Sequence, residues 1–432
     1  MAQKNGRTRK YFVKACNILI IMGYFKQTVI GISWMSAFRV ISRIITFFRV
    51  IILARLLTPA QFGVFGIATV ILAFLEILTE TGINVFLIQK KGDIDEYVND
   101  AWLVSILRGA MLFLLIIVLS PFIVLFFKTP FASGMFFLIS FVPLIRGFIN
   151  PAIVKYQKNL LFGKEFFLRF SIFTFDSIIA IILALITHDE ISFVWGFIAG
   201  ALLEVMISFL FIKPCPKVNF KITNIKKIIS RGKWVTLYGI FHYVSQEGDN
   251  VVVGRILGTT ALGIYQMGYK LSTLPISEIS DVVNKVIFPV YARIAYNKDR
   301  LLKAFRKTII STVVPVLMLG TVIFILPKSF IILVLGHRWI ELTTILRILA
   351  VYGVLRAIVS TSSVLLLALG KQNYVTVINF ARLLTLAITI VPLTYYFGIR
   401  GASFSALLSV FVELPIVAYY VFLVFRNRSL SK

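Results

Sequence analysis

Apolar runs of about 20 residues recur along the whole length of this 432-residue chain. A helix that spans the hydrocarbon core of a bilayer needs roughly 20 predominantly apolar residues. The runs do not alternate between apolar and polar residues, which argues against the strands of a transmembrane barrel. Hydrophobic residues make up 59% of the chain and charged residues only 15%, too few to cover a water-soluble domain of this length. The sequence therefore predicts an all-α polytopic membrane protein with about twelve transmembrane helices.

The net charge of +27 comes from 45 Lys and Arg against 18 Asp and Glu. Of the basic residues, 28 lie at the termini and in alternate connections, whereas only six lie in the other connections. Because Lys and Arg accumulate in cytoplasmic loops, both termini are predicted to be cytoplasmic, in a multi-pass protein of the cell (plasma or inner) membrane. The distribution of positive charge therefore indicates which connections are cytoplasmic, and no nucleic-acid partner is expected.

An internal repeat joins the two halves of the chain. Residues 51–68, "IILARLLTPAQFGVFGIA", match residues 251–268, "VVVGRILGTTALGIYQMG", at a constant offset of 200. A later pair, "PFIVLFF" at 121–127 and "SFIILVL" at 329–335, matches at an offset of 208. The matched residues include Arg55 with Arg255 and Gly63 with Gly263. A repeat of this kind is typical of two-lobed transporters.

The repeat predicts two six-helix lobes around a central cavity. The basic connection between the halves has two prolines and seven Lys or Arg residues, as expected of a cytoplasmic linker. The predicted division is a basic N-terminal segment at 1–28, an N-lobe at 29–212, a linker at 213–233, a C-lobe at 234–425 and a cytoplasmic tail at 426–432.

Charged residues inside the first span lie on one helical face. At 100° per residue, Arg39, Arg43 and Arg49 fall within an arc of about 140°, which they share with three hydroxyl side chains. An arginine at a helix centre costs roughly 2.5–3.5 kcal/mol on insertion scales and usually faces water or a partner. This face predicts a cavity wall for an anionic ligand, because Arg binds phosphate and carboxylate. A salt bridge between Arg49 and Asp249 is the alternative, whereas Arg55 is expected to reach the interface.

The seventh span has an equivalent polar face. The residues on it include His242, Gln246 and Asp249, and the acidic Glu247 is nearby. We expect Asp249 and Glu247 to bind a coupling ion, H⁺ or Na⁺, or to gate the cavity, with Gln246 beside them and His242 as a proton-linked group. No other cofactor is expected.

Other basic residues extend the predicted anion-binding cavity beyond the first span. Each of them also has the alternative of an ion pair between helices. Arg108, Arg169 and Arg347 lie near span ends, where snorkelling to the interface is favoured. The full predicted substrate-binding set is Arg39, Arg43, Arg49, Arg146, Lys270, Lys285 and Arg356.

Motifs of enzymes or metal sites would favour a class of protein other than a transporter. Asp93 and Asp95 have the spacing of a metal-binding acid pair but lie in a short loop, so a solvated loop is favoured. The chain contains no nucleotide-binding glycine loop and no zinc-protease or serine-hydrolase motif. Cys16 and Cys215 are too few for a cysteine metal site. The predicted external loops are short, so we expect neither an enzyme nor a metal site.

Several segments together resemble the polysaccharide-export (Wzx-type) branch of the multidrug/oligosaccharidyl-lipid/polysaccharide flippase superfamily. They cover nearly the whole chain, and their order is more specific than any one of them. They are "ILARLLTPAQFGVFGIATVI" (52–71), "GINVFLIQKK" (82–91), "KNLLFGKEFF" (158–167), "DNVVVGRILGTTALGIYQMGYKLSTLP" (249–275), "VIFPVYARI" (286–294), "VLGHRWIELTTILRILA" (334–350) and "LALGKQNY" (367–374).

The resemblance implies alternating access and the flipping of polyprenyl-(pyro)phosphate-linked oligosaccharides for surface polysaccharide of the O-antigen or exopolysaccharide type. It also implies membrane lipids and polysaccharide-assembly proteins as partners. It implies that Arg39 and Arg43, in the first span, belong to the cavity. A cation-coupled antiporter of drugs or metabolites is the runner-up. A membrane glycosyltransferase or polymerase and a scaffold for glycan assembly are the remaining alternatives.

Overall fold

The computed structural model describes residue 31 and residues 33–90, 92–217 and 225–426, with side chains described except at 225–238 and 242. Every regular element in these residues is helical, which confirms the predicted all-α class. The α-helices are α1 (33–56), α2 (Pro59–Leu78), α3 (Ile83–Gln89), α4 (Asp95–Phe127), α5 (Ser133–Gly147), α6 (Lys155–Lys158), α7 (Phe162–Thr187), α8 (Ile191–Phe211), α9 (Ile225–Ile294), α10 (Lys298–Ile325), α11 (Pro327–Val334), α12 (Thr343–Ala368) and α13 (Gln372–Arg426).

Two of these helices are interrupted by a glycine. Gly258 in α9 has φ 85° and Gly398 in α13 has φ 60°, values that a residue with a Cβ rarely adopts. Counting the halves separately and leaving aside the short α3, α6 and α11, the described residues form twelve long helical segments, in agreement with the sequence. The halves are α9a (225–257), α9b (259–294), α13a (372–397) and α13b (399–426).

Eight helices of the described residues are long and apolar enough to cross a membrane, with α13 counted once. The chain is therefore a multi-pass membrane protein. The run at 329–335, which belongs to the repeat, lies in α11 except for its last residue.

One compact unit, unit 1, contains the described residues of Met1–Leu53, Leu75–Ser120 and Gly134–Ile240. Asn150 is fully buried in unit 1 and forms hydrogen bonds to the end of another helix. Its backbone N–H donates to Ser208 Oγ at 3.1 Å, and its side-chain amide donates to the carbonyls of Ile212 and Pro214 at 3.1 and 3.0 Å. The end of α8 is thereby fixed to the turn that follows α5, which matters because both helices contribute charged residues to the site described below.

The other compact unit, unit 2, contains the described residues of Ala54–Phe74, Pro121–Ser133 and Phe241–Lys432. Compact packing thus groups two segments of the first half, 54–74 and 121–133, with the second half. The division into lobes at 29–212 and 234–425 rests on the repeat and stays a prediction.

Inside unit 2, α2 and α9b cross at two glycines. A Cβ at Gly63 would lie 1.8 Å from the carbonyl oxygen of Thr259, and a Cβ at Gly263 would lie 1.9 Å from that of Pro59. Gly63 and Gly263 are 200 residues apart, and so are Pro59 and Thr259. Each helix therefore places its glycine against the same position of the other helix. Glycine is required because only a residue without a side chain lets two helix backbones approach this closely.

The arginines of the repeat also make crosswise contacts within unit 2. Arg55 donates to the carbonyl of Val334 at the end of α11, at 3.3 Å. Its counterpart Arg255 lies over the ring of Phe126, 5.1 Å from the centroid. Residues 126 and 334 match at the offset of 208, so each arginine contacts the equivalent segment of the opposite half. Arg55 is exposed and binds the carbonyl end of α11, a favourable place for a cation.

Candidate functional site

A cavity of about 750 Å³ opens inside unit 1. We call it the unit-1 cavity. It lies among α2, α4, α5, α7 and α8 and has a volume in the range of ligand-binding pockets. Its charged lining residues are Glu76, Glu80, Arg108, Arg146, Glu165, Arg169 and Glu204.

Arg108 connects α4 to the end of α2. Its Nη2 donates to the carbonyl of Glu76 at 2.6 Å and its Nε donates to Thr79 Oγ1 at 3.2 Å, while Glu80 Oε2 lies 3.5 Å from the guanidinium. A cation at the carbonyl end of a helix is favoured by the helix dipole. The sequence favoured snorkelling for Arg108, but the structure places it in the wall of the unit-1 cavity.

Arg146 and Arg169 complete the positive charges of this wall. Arg146, in the last turn of α5, lies 3.6 Å from Glu76, and both side chains are partly exposed. Arg169 donates to Glu165 Oε1 at 2.8 Å, one turn apart on α7, and Gln157 donates to the same oxygen at 2.6 Å. Arg169 lines this cavity, whereas the sequence favoured snorkelling to the interface. Arg146 lines it as well, and its predicted contact with substrate stays a prediction.

The charges of the unit-1 cavity nearly cancel. Three arginines face four glutamates, and each arginine has a glutamate within 4 Å. Among the lining residues the balance is therefore slightly acidic, and the arginines of α1 that were predicted to form a basic wall are not among them.

The predicted arginine face of α1 is divided between different surroundings. Arg49 is buried and donates to Asp176 Oδ2 on α7 at 2.9 Å, with Phe197 beneath its guanidinium. Its partner is therefore an acid of its own unit, in place of the Asp249 considered from the sequence. Arg43 is exposed and Arg39 is half-buried. Neither is among the residues that line the unit-1 cavity.

A smaller space of about 300 Å³, the unit-2 pocket, lies between α2, α9a and α9b. It brings together Gln246, Glu247 and Asp249, three residues predicted to couple or gate transport. Lys270, predicted to belong to the anion-binding cavity, lines the same pocket. The side chain of His242 lies outside the described residues.

Asp249 is the buried acid of this pocket, with 7% of its surface exposed. Its Oδ2 accepts a hydrogen bond from Tyr265 at 2.8 Å, and its Oδ1 accepts one from the backbone N–H of Asn250 at 2.9 Å. The side chain of Asn250 donates to Glu247 at 2.6 Å. Two carboxylates and an amide are thus held next to open space, an arrangement of oxygen atoms that can bind a proton or a small cation.

Arg356, Arg382 and Glu413 form a separate cluster in unit 2. Glu413 and Arg382 are buried, whereas 31% of the Arg356 side chain is exposed. Glu413 has no exposed surface, and both of its oxygens accept from Arg356 Nη1, at 3.0 and 2.9 Å. Arg382 lies 3.6 Å from the same carboxylate and donates to Ser245 on α9a at 3.2 Å. This cluster joins α9a, α12 and α13. Arg356, predicted to bind substrate, has an internal partner here, and the role of Arg382 was missed because its partners are far away in sequence.

Lys285 is exposed on α9b and lines neither the unit-1 cavity nor the unit-2 pocket. Its predicted contact with substrate stays a prediction.

The acidic loop before α4 is held by a lysine. Lys155 Nζ lies 2.5 Å from Asp95 and 3.7 Å from Asp93. The backbone N–H of Ile94 donates to Asp93 Oδ1 at 2.7 Å and lowers the pKa of that carboxyl from its ordinary value. Asp93 lies in the loop, whereas Asp95 is the first residue of α4. In the described part of the chain no group of three or more His, Cys, Asp or Glu could hold a metal.

These features define a multi-pass, all-helical membrane protein with a charged cavity among apolar helices. The sequence profile of the polysaccharide biosynthesis protein family matches residues 52–344, and the chain belongs to this family. The predicted resemblance to the polysaccharide-export branch of the flippase superfamily is thereby confirmed.

Individual proteins agree with this assignment. An uncharacterized membrane protein in the cps region of Klebsiella pneumoniae is 27% identical, with 88% of this chain and 79% of its own length covered. The lipopolysaccharide biosynthesis protein WzxC of Escherichia coli (strain K12) is 23% identical, with 82% and 72% covered. The solved structure of the lipid II flippase MurJ in an inward closed conformation has a TM-score of 0.71 at 15% identity, over 90% of this chain and 88% of that one, and shows the shared fold.

Proposed function

We propose that this protein flips polyprenyl-(pyro)phosphate-linked oligosaccharide units across the cell membrane for surface polysaccharide synthesis. The observation that carries the proposal is the unit-1 cavity, a space of about 750 Å³ with seven charged side chains among apolar helices, in a member of the polysaccharide biosynthesis protein family. A sugar headgroup cannot cross hydrocarbon without polar partners. Charged and amide side chains in a cavity supply those partners while the lipid chain stays in the bilayer.

The phosphates of the carried lipid are assigned to α1. Arg39 is half-buried and Arg43 is exposed, and a guanidinium binds phosphate through paired N–H donors. Alternating access is expected to present this face, together with the unit-1 cavity, first to the cytoplasm and then to the exterior. Both termini are assigned to the cytoplasm, and the protein performs transport without covalent chemistry.

The unit-2 pocket is the proposed coupling site. Asp249 and Glu247 lie in it beside Lys270, and a buried carboxylate next to open space can exchange a proton or bind Na⁺. Charge changes at this pocket are expected to drive the transport cycle.

Reconstitution tests the function. Purified protein in liposomes is expected to move a fluorescent polyprenyl-diphosphate trisaccharide between leaflets, as measured by loss of its protection from a membrane-impermeant quencher. Replacement of both Arg39 and Arg43 by Ala is expected to reduce the rate at unchanged protein content. Equal rates would contradict the role of α1. Transport of small cationic drugs with no movement of the lipid-linked sugar would instead support the antiporter.

A further inference from the structure

One hydrogen-bond acceptor in the wall of the unit-1 cavity is buried and has no donor among the described residues. Arg108 and Arg169 are engaged by partners of their own wall, at 2.6 and 2.8 Å. By contrast, Glu165 Oε2 is buried and has no hydrogen-bond partner. Glu204 also lines the cavity, and the positive charges that act on its carboxylate are those of Arg146 and Arg169. A buried acceptor without a donor costs free energy until a ligand supplies one, so the cavity is arranged to receive donors.

The remaining positive charge is already opposed. Arg146 keeps 43% of its side chain exposed, but Glu76 lies 3.6 Å away with 32% exposed. The seven charged lining residues carry one more negative than positive charge. A further negative charge in this space would be repelled, since Coulomb interactions are strong where the dielectric constant is low.

We propose that the unit-1 cavity binds sugar residues that are uncharged or carry amino or acylamino groups, and that it disfavours uronic and other acidic sugars. This assignment rests on the proposed function and names the class of glycan that the cavity accepts. Hydroxyl, amide N–H and ammonium groups are donors that can reach the free Oε2 of Glu165 and the carboxylate of Glu204. Arg146 and Gln157 offer N–H donors to sugar oxygens. The phosphates of the lipid lie outside this cavity.

Binding to the purified full chain tests the assignment without requiring transport. The probes are two water-soluble trisaccharides that differ only in one sugar, glucose or glucuronic acid. We expect the glucose form to bind at least about tenfold more tightly, the effect of one like charge at close range in a partly buried site. Equal binding, tighter binding of the acidic form or binding of neither would overturn the assignment.

Variants of Glu204 locate the effect in the cavity. Glu204→Gln removes the negative excess and is expected to reduce the preference for the glucose form several-fold, and Glu204→Lys is expected to abolish it. The matched control is Glu96→Gln, which changes an exposed glutamate of α4 away from the lining residues and is expected to keep the preference. An unchanged preference in Glu204→Lys, with an unchanged thermal unfolding midpoint, would contradict the assignment.

Liposome transport of the two lipid-linked forms separates this inference from the proposed function. A binding preference without any flipping would leave the glycan class in place and remove the flippase function. Flipping of both forms at equal rates, together with equal binding, would keep the flippase and remove the proposed selectivity.

Discussion

Arginine–glutamate pairs occur in both units of this protein, but their carboxylates are buried to different extents. In unit 2 the Glu413 carboxylate has no exposed surface and accepts two hydrogen bonds from Arg356. In unit 1, Arg146 and Glu76 lie 3.6 Å apart, with 43% and 32% of their side chains exposed. Identical residue types therefore perform different tasks. An enclosed pair fixes helices relative to one another, whereas a pair that borders open space keeps donors and acceptors for a ligand.

The comparison predicts that stability and transport respond separately. Removing one member of an enclosed pair leaves a buried charge without compensation, which costs far more than loosening a partly solvated pair. The effects on unfolding should therefore decrease from the Glu413 cluster to the unit-1 cavity.

The largest loss of stability is expected for Glu413→Gln. This change leaves Arg356 and Arg382 next to a neutral amide and should lower the free energy of unfolding by about 3–5 kcal/mol. Chemical denaturation of the purified protein measures it, with the exposed Glu341→Gln as the control. Replacing all three members of the cluster by Leu should recover part of the loss. A Glu413→Gln protein as stable as the unmodified one would show that the cluster does not hold the helices.

A smaller loss is expected for Arg49→Leu. Asp176 would lose the partner that lies at 2.9 Å, and the free energy of unfolding should fall by about 3 kcal/mol. The same change at the exposed Arg43, on the same helix, should have little effect on unfolding. Equal losses in the two variants would contradict the division of α1 into a buried and an exposed part.

The arginines of α1 also show how far sequence periodicity reaches. Helical spacing placed Arg39, Arg43 and Arg49 on one face, and each of them is indeed on α1. Periodicity gives the direction of a side chain but not the element that packs there. The partner of Arg49 lies 127 residues away on α7, a distance over which pattern alone has no information, so the pairing with Asp176 was not predicted.

Part of the charged lining of the unit-1 cavity could be predicted from the spacing of residues along the chain. Glu165 and Arg169 are four residues apart on α7, and such pairs share a helix face. Arg169 lies near a predicted span end, and for this reason the sequence favoured snorkelling to the interface. Arg108 was assigned in the same way, but the turn after α2 brings Thr79 and Glu80 to it. The contact with that turn is tertiary and could not be predicted from local sequence. By contrast, the number of long helical segments could be predicted from composition, and the positions of the crossing glycines correspond to the repeat.

An intermediate loss of about 2 kcal/mol is expected for Gly63→Ala, because the new methyl group would meet the carbonyl of Thr259 and force the backbones apart. Gly134→Ala is the matched control, since a Cβ there has no neighbour within 4 Å. Thermal unfolding of both variants checks the difference. An equal unfolding midpoint in the two would show that the crossing of α2 and α9b tolerates separation.

The smallest effect on stability, and a large effect on transport, is expected for Arg146→Ala. Because the pair with Glu76 is long and partly solvated, its loss should change the free energy of unfolding by less than about 1 kcal/mol. The cavity would lose the guanidinium that faces the ligand and gain uncompensated negative charge from Glu76. Flipping of the neutral lipid-linked trisaccharide in liposomes should therefore slow by at least about tenfold, since a lost charged hydrogen bond is worth roughly 1.5–3 kcal/mol.

Arg146→Lys keeps the charge without the planar fork, and its flipping rate should lie between those of the unmodified protein and Arg146→Ala. A normal transport rate in Arg146→Ala, or a loss of stability as large as that of Glu413→Gln, would place Arg146 with the structural pairs and remove the distinction between the two regions.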